Sequence, residues 1–244
     1  MKKTLFKFWI IILSCFMVLS NASLLAYSED ISGNEKNDIA NSFRYTDGET
    51  REGHSMSLFL RSAVDSSWPQ DSKAIAKGID VSTHNEKIDW RRVKQSGVDY
   101  AIIRCGYGTN ETSQDDKRWE ENVKGCVENN IPYGVYLYSY ADTVAKASSE
   151  ADHAIRLLQG KKLSYPVYYD LEEYAVRNKV SKTGIGDIAE TFCNKLSAKG
   201  YTVGIYASKD WFTNYLTDSR FSSWTKWVAQ YISTCTYNGT YAIS

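Results

Sequence analysis

The sequence is short of several residue types that would point to particular chemistries. It has five cysteines in 244 residues, with no CxxC pair and no metal-ligand spacing among them. Four of them, Cys105, Cys126, Cys193 and Cys235, follow the N-terminal region. So few in a large chain read as small buried hydrophobes, and no disulfide connectivity can be read from them. Only three histidines occur, His54, His84 and His153, and none ends a strand, which counts against a catalytic zinc site. There is no basic excess: 29 Lys and Arg balance 29 Asp and Glu. Without a basic stripe to neutralise phosphates, nucleic acid is excluded as a partner. No glycine-rich GxGxxG loop follows the first strand, "GIDVSTHN", so a dinucleotide is not expected. No internal repeat occurs, and no segment after the first 26 residues is apolar enough to span a membrane.

The N-terminus has its own pattern. Lys2, Lys3 and Lys7 precede an apolar run from Phe8 to about Leu19, and small residues Ser20 and Ala22 follow. This is the layout of a secretory leader over residues 1–26. The competing reading is an uncleaved membrane anchor. Loss of the three lysines leaves 26 basic and 29 acidic residues, a formal charge of −3. The expected location is outside the cell or in the cell wall, with no stable membrane insertion after cleavage. Residues 27–75 are polar and aperiodic, which reads as a disordered arm.

From Ala76 strands and helices alternate. Strands are expected at 77–83, 99–108, 131–141, 165–172, 201–208 and 225–231. Helices are expected at 89–97, 115–130, 142–160, 183–200 and 209–216. Asp89 is placed to cap the first helix, and Gly97, Gly160 and Gly200 close three of them. In the second helix Trp119, Val123 and Val127 fall at four-residue steps. The strands are apolar almost throughout, as parallel strands covered on both faces must be. An open doubly wound sheet and a closed barrel both fit.

In parallel α/β folds the functional groups sit at the carboxyl ends of strands. Those ends carry Asp80, Arg104, Tyr138, Tyr140, Asp170, Glu172, Tyr206 and Gln230. In "YYDLE", Asp170 and Glu172 share one face of the strand and Leu171 takes the other. Their backbones are roughly 6.6 Å apart. Two carboxylates in one cleft repel, so at least one is held protonated to higher pH. That pairing suits glycosidic cleavage, although a divalent-cation site and a purely structural role also fit. Glu173 reads as a solvated or capping residue. The 18 Tyr and 7 Trp suit sugar rings and tight cores equally well.

The stretch "KGIDVSTHNEKIDWRRVKQSGVDYAIIRCGYG", followed in order by "YGVYLYSYA", "YYDLE", "GIYAS" and "WVAQY", resembles the glycoside hydrolase family 25 lysozymes, the Chalaropsis-type muramidases. The resemblance covers residues 77–241. It implies an α/β fold, a TIM-like barrel of eight strands and five helices, with 76–244 as the catalytic domain. It implies a monomer without cofactor or metal that cleaves the β-1,4 bond between N-acetylmuramic acid and N-acetylglucosamine in peptidoglycan glycan strands. Carried over by position, Glu172 is the general acid, Asp170 its partner carboxylate and Asp80 the acid ending the first strand. Tyr138, Tyr140, Tyr206, Tyr231, Arg104 and Gln230 are expected to bind substrate. Retaining, substrate-assisted and inverting routes stay open. Only six of the eight strands are counted, and the family's fourth acid has no counterpart. The reading therefore expects a chain that continues past Ser244, with the first and sixth strands as open edges. Its alternative is a glycan-binding protein that does not cut.

Overall fold

The computed structural model describes residues 74–231 and 235–243. The expected leader at 1–26, and the expected arm up to residue 73, lie outside the described residues. The rest is an alternating α/β chain. Strands β1 (Gly78–Val81), β2 (Tyr100–Tyr107), β3 (Tyr133–Tyr138), β4 (Val167–Asp170), β5 (Val203–Ser208) and β6 (Thr225–Ala229) stand in sequence order. Every neighbouring pair is parallel. Between them run α1 (Trp90–Gln95), α2 (Trp119–Glu128), α3 (Val144–Leu158), α4 (Tyr174–Lys179), α5 (Lys182–Ser197) and α6 (Lys209–Asn214). All six expected strands are present. The described residues hold six α-helices rather than five, because α4 was not anticipated.

The strands carry two different faces. Ile79 and Val81 of β1, Ile103 of β2, Val135 and Leu137 of β3, Tyr169 of β4 and Ile205 of β5 belong to one large cluster that the helices cover. Alternate residues Tyr100, Ile102, Tyr168 and Tyr206 form a second cluster, with Tyr136 and Trp227 packed against it. This alternation follows from the period of two along a strand, and it separates a helix-covered face from an inward face.

Local chemistry sets the helix ends. The Asp89 side chain accepts the Arg92 N–H at 3.1 Å and starts α1. Gly97, Gly160 and Gly200 take positive φ where the chain leaves a helix. The expected helix at 115–130 starts four residues later, because the side chains of Asp115 and Asp116 are engaged elsewhere. Val127 is 61% exposed, whereas Cys126 is fully buried. Seven residues bring a helix to about 20° short of whole turns, and eight overshoot by about 80°. The buried stripe therefore runs Trp119, Val123, Cys126. The short α4 is capped by Glu173, which accepts the Ala175 N–H at 3.0 Å.

Cys105, Cys126 and Cys193 are buried free thiols, and Cys235 is half-buried and free. The sixth strand is not an open edge. Residues 241–243 return beside it in parallel, with Val228 N–H donating to the Ile243 carbonyl at 2.8 Å and Ala242 N–H to that of Lys226 at 2.9 Å.

Helix α2 meets α1 at Gly125, where an added Cβ would overlap the indole of Trp90. Trp90 is itself buried. A helix-interior Gly→Ala change ordinarily stabilises by about 1 kcal/mol. Here Gly125→Ala is expected to destabilise by about 1–3 kcal/mol, as overpacking does. Guanidinium unfolding checks the sign, and a gain in stability would show that the α1–α2 approach is looser than described.

Candidate active site

Tyr138, Asp170, Tyr206 and Trp227 are successive register partners across β3, β4, β5 and β6. They form one row across the inward face near the carboxyl ends of these strands. Below that row lies an aromatic floor. Trp227 packs edge-on against Tyr136, Tyr168 and Tyr206, with ring centroids 5.9, 5.5 and 4.5 Å apart. Such a floor excludes water and provides few hydrogen bonds. Asp170, rising from it, is 2% exposed, and its Oδ1 has no hydrogen-bond partner. Leu171 points the other way into the helix-covered core, and Glu172 returns to the inward side at 7% exposure.

Burial raises the Asp170 carboxyl well above the usual carboxylate range. The charge of Glu172 adds to this, Asp80 adds less, and Arg104 opposes both. Asp80 is exposed near the end of β1, and the protein atoms packed around its carboxyl push it up to about 6. Burial also raises the hydroxyls of Tyr138 and Tyr206. Tyr138 feels Glu172 and Asp170, and Tyr206 feels all three carboxylates. These tyrosines stay protonated near neutral pH and can donate hydrogen bonds. The charges of Glu172 and Asp80 both act on Asp170. Among the described residues no group of three His, Cys, Asp or Glu side chains could hold a metal ion.

The remaining expected site residues divide by exposure. Tyr140 is 38% exposed, and its ring lies 5.0 Å from that of Tyr138. Tyr231 is 51% exposed. Arg104 is buried, with Nε on Asp116 Oδ2 at 2.8 Å. Gln230 uses both ends of its amide on Thr236: Nε2 donates to Oγ1 at 2.9 Å, and Oε1 accepts the Thr236 N–H at 2.8 Å. Glu173 caps α4 and accepts the Tyr138 hydroxyl at 3.3 Å. The sequence reading missed Asp116 and Trp227. The first was hidden in a stretch read as helix, and the second was taken as one more apolar strand residue.

The sequence model of Glycosyl hydrolases family 25 matches residues 79–242. The autolytic lysozyme of Clostridium acetobutylicum is 27% identical over 158 residues, covering 64% of this chain and 45% of that protein. Among solved structures, the modular autolysin LytC from Streptococcus pneumoniae is 31% identical with a TM-score of 0.59. It covers 65% of this chain and 38% of its own. LytC in complex with a synthetic peptidoglycan ligand gives 29% and 0.60, with 68% and 40% covered. A family 25 glycosyl hydrolase from Bacillus anthracis, at 22% identity and TM-score 0.58, covers 65% of this chain and 72% of its own, and supports the fold alone. The chain thus spans less than half the length of the curated relative it matches.

A carboxyl group that the fold holds above its unfolded value binds more protons folded than unfolded. It therefore subtracts stability as pH rises through and above the ordinary carboxylate range. Asp170→Asn is accordingly expected to stabilise the fold at pH 7 by about 1–3 kcal/mol, a few degrees in Tm. The gain should fade below about pH 4, where the acid is neutral in both states. Thermal unfolding at both pH values checks this, and a variant less stable at pH 7 would contradict the burial argument.

Proposed function

The chain belongs to glycosyl hydrolase family 25, and from that membership we propose that it is a peptidoglycan hydrolase. The bond cut is the β-1,4 link between N-acetylmuramic acid and N-acetylglucosamine. The observation that carries the reading is the cluster of Asp80, Asp170 and Glu172, with Asp170 buried and short of a hydrogen bond. Cleaving a glycosidic bond needs a proton for the leaving oxygen and negative charge beside the sugar as it becomes cationic. Repulsion between two neighbouring carboxylates favours one proton shared unequally between them. Glu172, at the tip of the D-x-E segment, is assigned as the donor. Burial favours the neutral form of Asp170 in the free protein. The sugar becoming cationic, together with Arg104, draws it to the charged form, in which it steadies the anomeric centre or orients the substrate's own acetamido group, and Asp80 adds to the field from β1.

Tyr206 and Tyr231 are placed to offer hydroxyl donors to the cluster, while the Tyr138 hydroxyl is held by Glu173. Tyr140 offers a part-exposed ring beside Tyr138 for a sugar face. The product leaves the protein in the same protonation state once water has been split between anomeric carbon and leaving oxygen. Secretion to the cell wall, expected from the N-terminal pattern, belongs to the same proposal. The relatives, an autolytic lysozyme and an autolysin in complex with a synthetic peptidoglycan ligand, support the hydrolase reading.

Glu172→Gln keeps the shape but removes the transferable proton. It is expected to lower the release of reducing ends from purified peptidoglycan by roughly 10²–10⁴-fold, while the variant still sediments with the wall polymer. Turnover within a few-fold of the unmodified protein would remove Glu172 from the acid role.

A further inference from the structure

Arg104 leaves β2 on the inward face, register partner of Tyr136, and is buried at 4% exposure. A buried carboxylate helps to fix its position. Asp116, whose side chain is fully buried, accepts Arg104 Nε at 2.8 Å and the Thr83 N–H at 2.9 Å on Oδ2. Its Oδ1 accepts the Arg118 N–H at 2.8 Å. A single aspartate therefore joins the turn that follows β1, the side chain on β2 and the entry to α2. Arg104 cannot swing out to a ligand without breaking this junction. A buried ion pair adds little net stability over an apolar pair of equal volume, so packing alone does not account for it.

By register, Arg104 shares the inward face with Asp80, whose partner Ile102 lies two residues before it on β2, and with Asp170, whose partner Tyr138 lies two residues past Tyr136 on β3. The titratable groups facing Asp170 are Asp80 from β1, Arg104 from β2, Tyr136 and Tyr138 from β3, Glu172 beyond β4, Tyr206 from β5 and Tyr231 beyond β6. Of these, Arg104 favours the ionised form of Asp170, against burial, Glu172 and Asp80. We propose that Arg104 is the fixed counter-charge of the three-carboxylate cluster, a positioning residue whose share of charge is set by the Asp116 that anchors it. The inference rests on reading Asp170 and Glu172 as the reacting pair. It adds that the pair can hold a negative charge in its aromatic surroundings because one cation is held permanently beside it.

The test is carboxyl-carbon NMR titration of Asp170 and Glu172 in the full-length chain and three variants, with reducing-end release followed in parallel. Arg104→Gln removes the cation and should raise the upper midpoint of the pair by about half a pH unit or more. Asp116→Asn keeps an oxygen for the Nε–H but removes the competing negative charge, and should lower that midpoint. Arg104→Lys keeps the charge and should stay nearer to the unmodified protein than Arg104→Gln. Loosening of the fold has no reason to move two variants in opposite directions, so opposite shifts support the proposal. An unmoved midpoint in a folded variant, or shifts of the same sign in Arg104→Gln and Asp116→Asn, would overturn it. If Arg104→Gln does not fold, the direction in Asp116→Asn decides. If the unmodified chain releases no reducing ends, the hydrolase reading fails, while the titrations still decide the role of Arg104.

Discussion

Burial of an ionisable acid with an oxygen left unpaired is among the costlier arrangements a fold can hold, and the tip of β4 holds one in Asp170. The rest of the inward face follows from that constraint. The aromatic floor of Tyr136, Tyr168, Tyr206 and Trp227 keeps water from the carboxylate. The alternation of β4 sends Leu171 into the helix-covered core and returns Glu172 to the same side. Arg104, held by Asp116, supplies the opposing charge. The parts oppose one another at Asp170: the dry floor favours its neutral form, and the Arg104 cation favours its ionised form.

A second buried acid shows what a purely structural one looks like. Glu150 of α3 is fully buried, and burial pushes its carboxyl up to about 7. Unlike Asp170, it accepts the Ser139 hydroxyl at 2.8 Å, the Tyr140 N–H at 2.9 Å and the Tyr169 hydroxyl. It fixes the turn after β3 from the helix side of the sheet. Likewise His153, fully buried, has Nε2 on Asp115 Oδ1 at 2.7 Å and Nδ1 on the Gly108 carbonyl at 3.1 Å. The satisfied acid lies outside the inward face, and the unsatisfied one lies within it. Between these two acids it is hydrogen bonding, rather than burial itself, that differs.

The strand register and the D-x-E pair were legible because a period of two fixes which side chains share a face. Glu173 as a cap and Asp89 as a helix start were legible for similarly local reasons. What sequence spacing hid was long-range. The Arg104–Asp116 bond spans a loop, and nothing in "TSQDDKRW" distinguishes a buried aspartate from a solvated one. Gln230 ends a strand as a binding residue should, but its amide is engaged by Thr236, six residues on. The partnering of β6 by residues 241–243 depends on a chain reversal that composition does not encode. Four-residue steps drift off a helix face, so Val127 is exposed and Cys126 takes the buried position.

The central claim is that Asp170 and Glu172 form one coupled pair whose protonation governs bond cleavage. Its most direct test is the pH dependence of reducing-end release from peptidoglycan by the unmodified protein, from about pH 3 to 9. A coupled pair titrates in two steps that belong to both groups. The account predicts a bell. Activity is lost on the acid side as the partner carboxylate is neutralised. It is lost on the alkaline side as the donor gives up its proton, at a midpoint clearly above the ordinary glutamate value of about 4.3. A rate that stays level across neutral and alkaline pH, with a single ionisation near the ordinary carboxylate value, would contradict it.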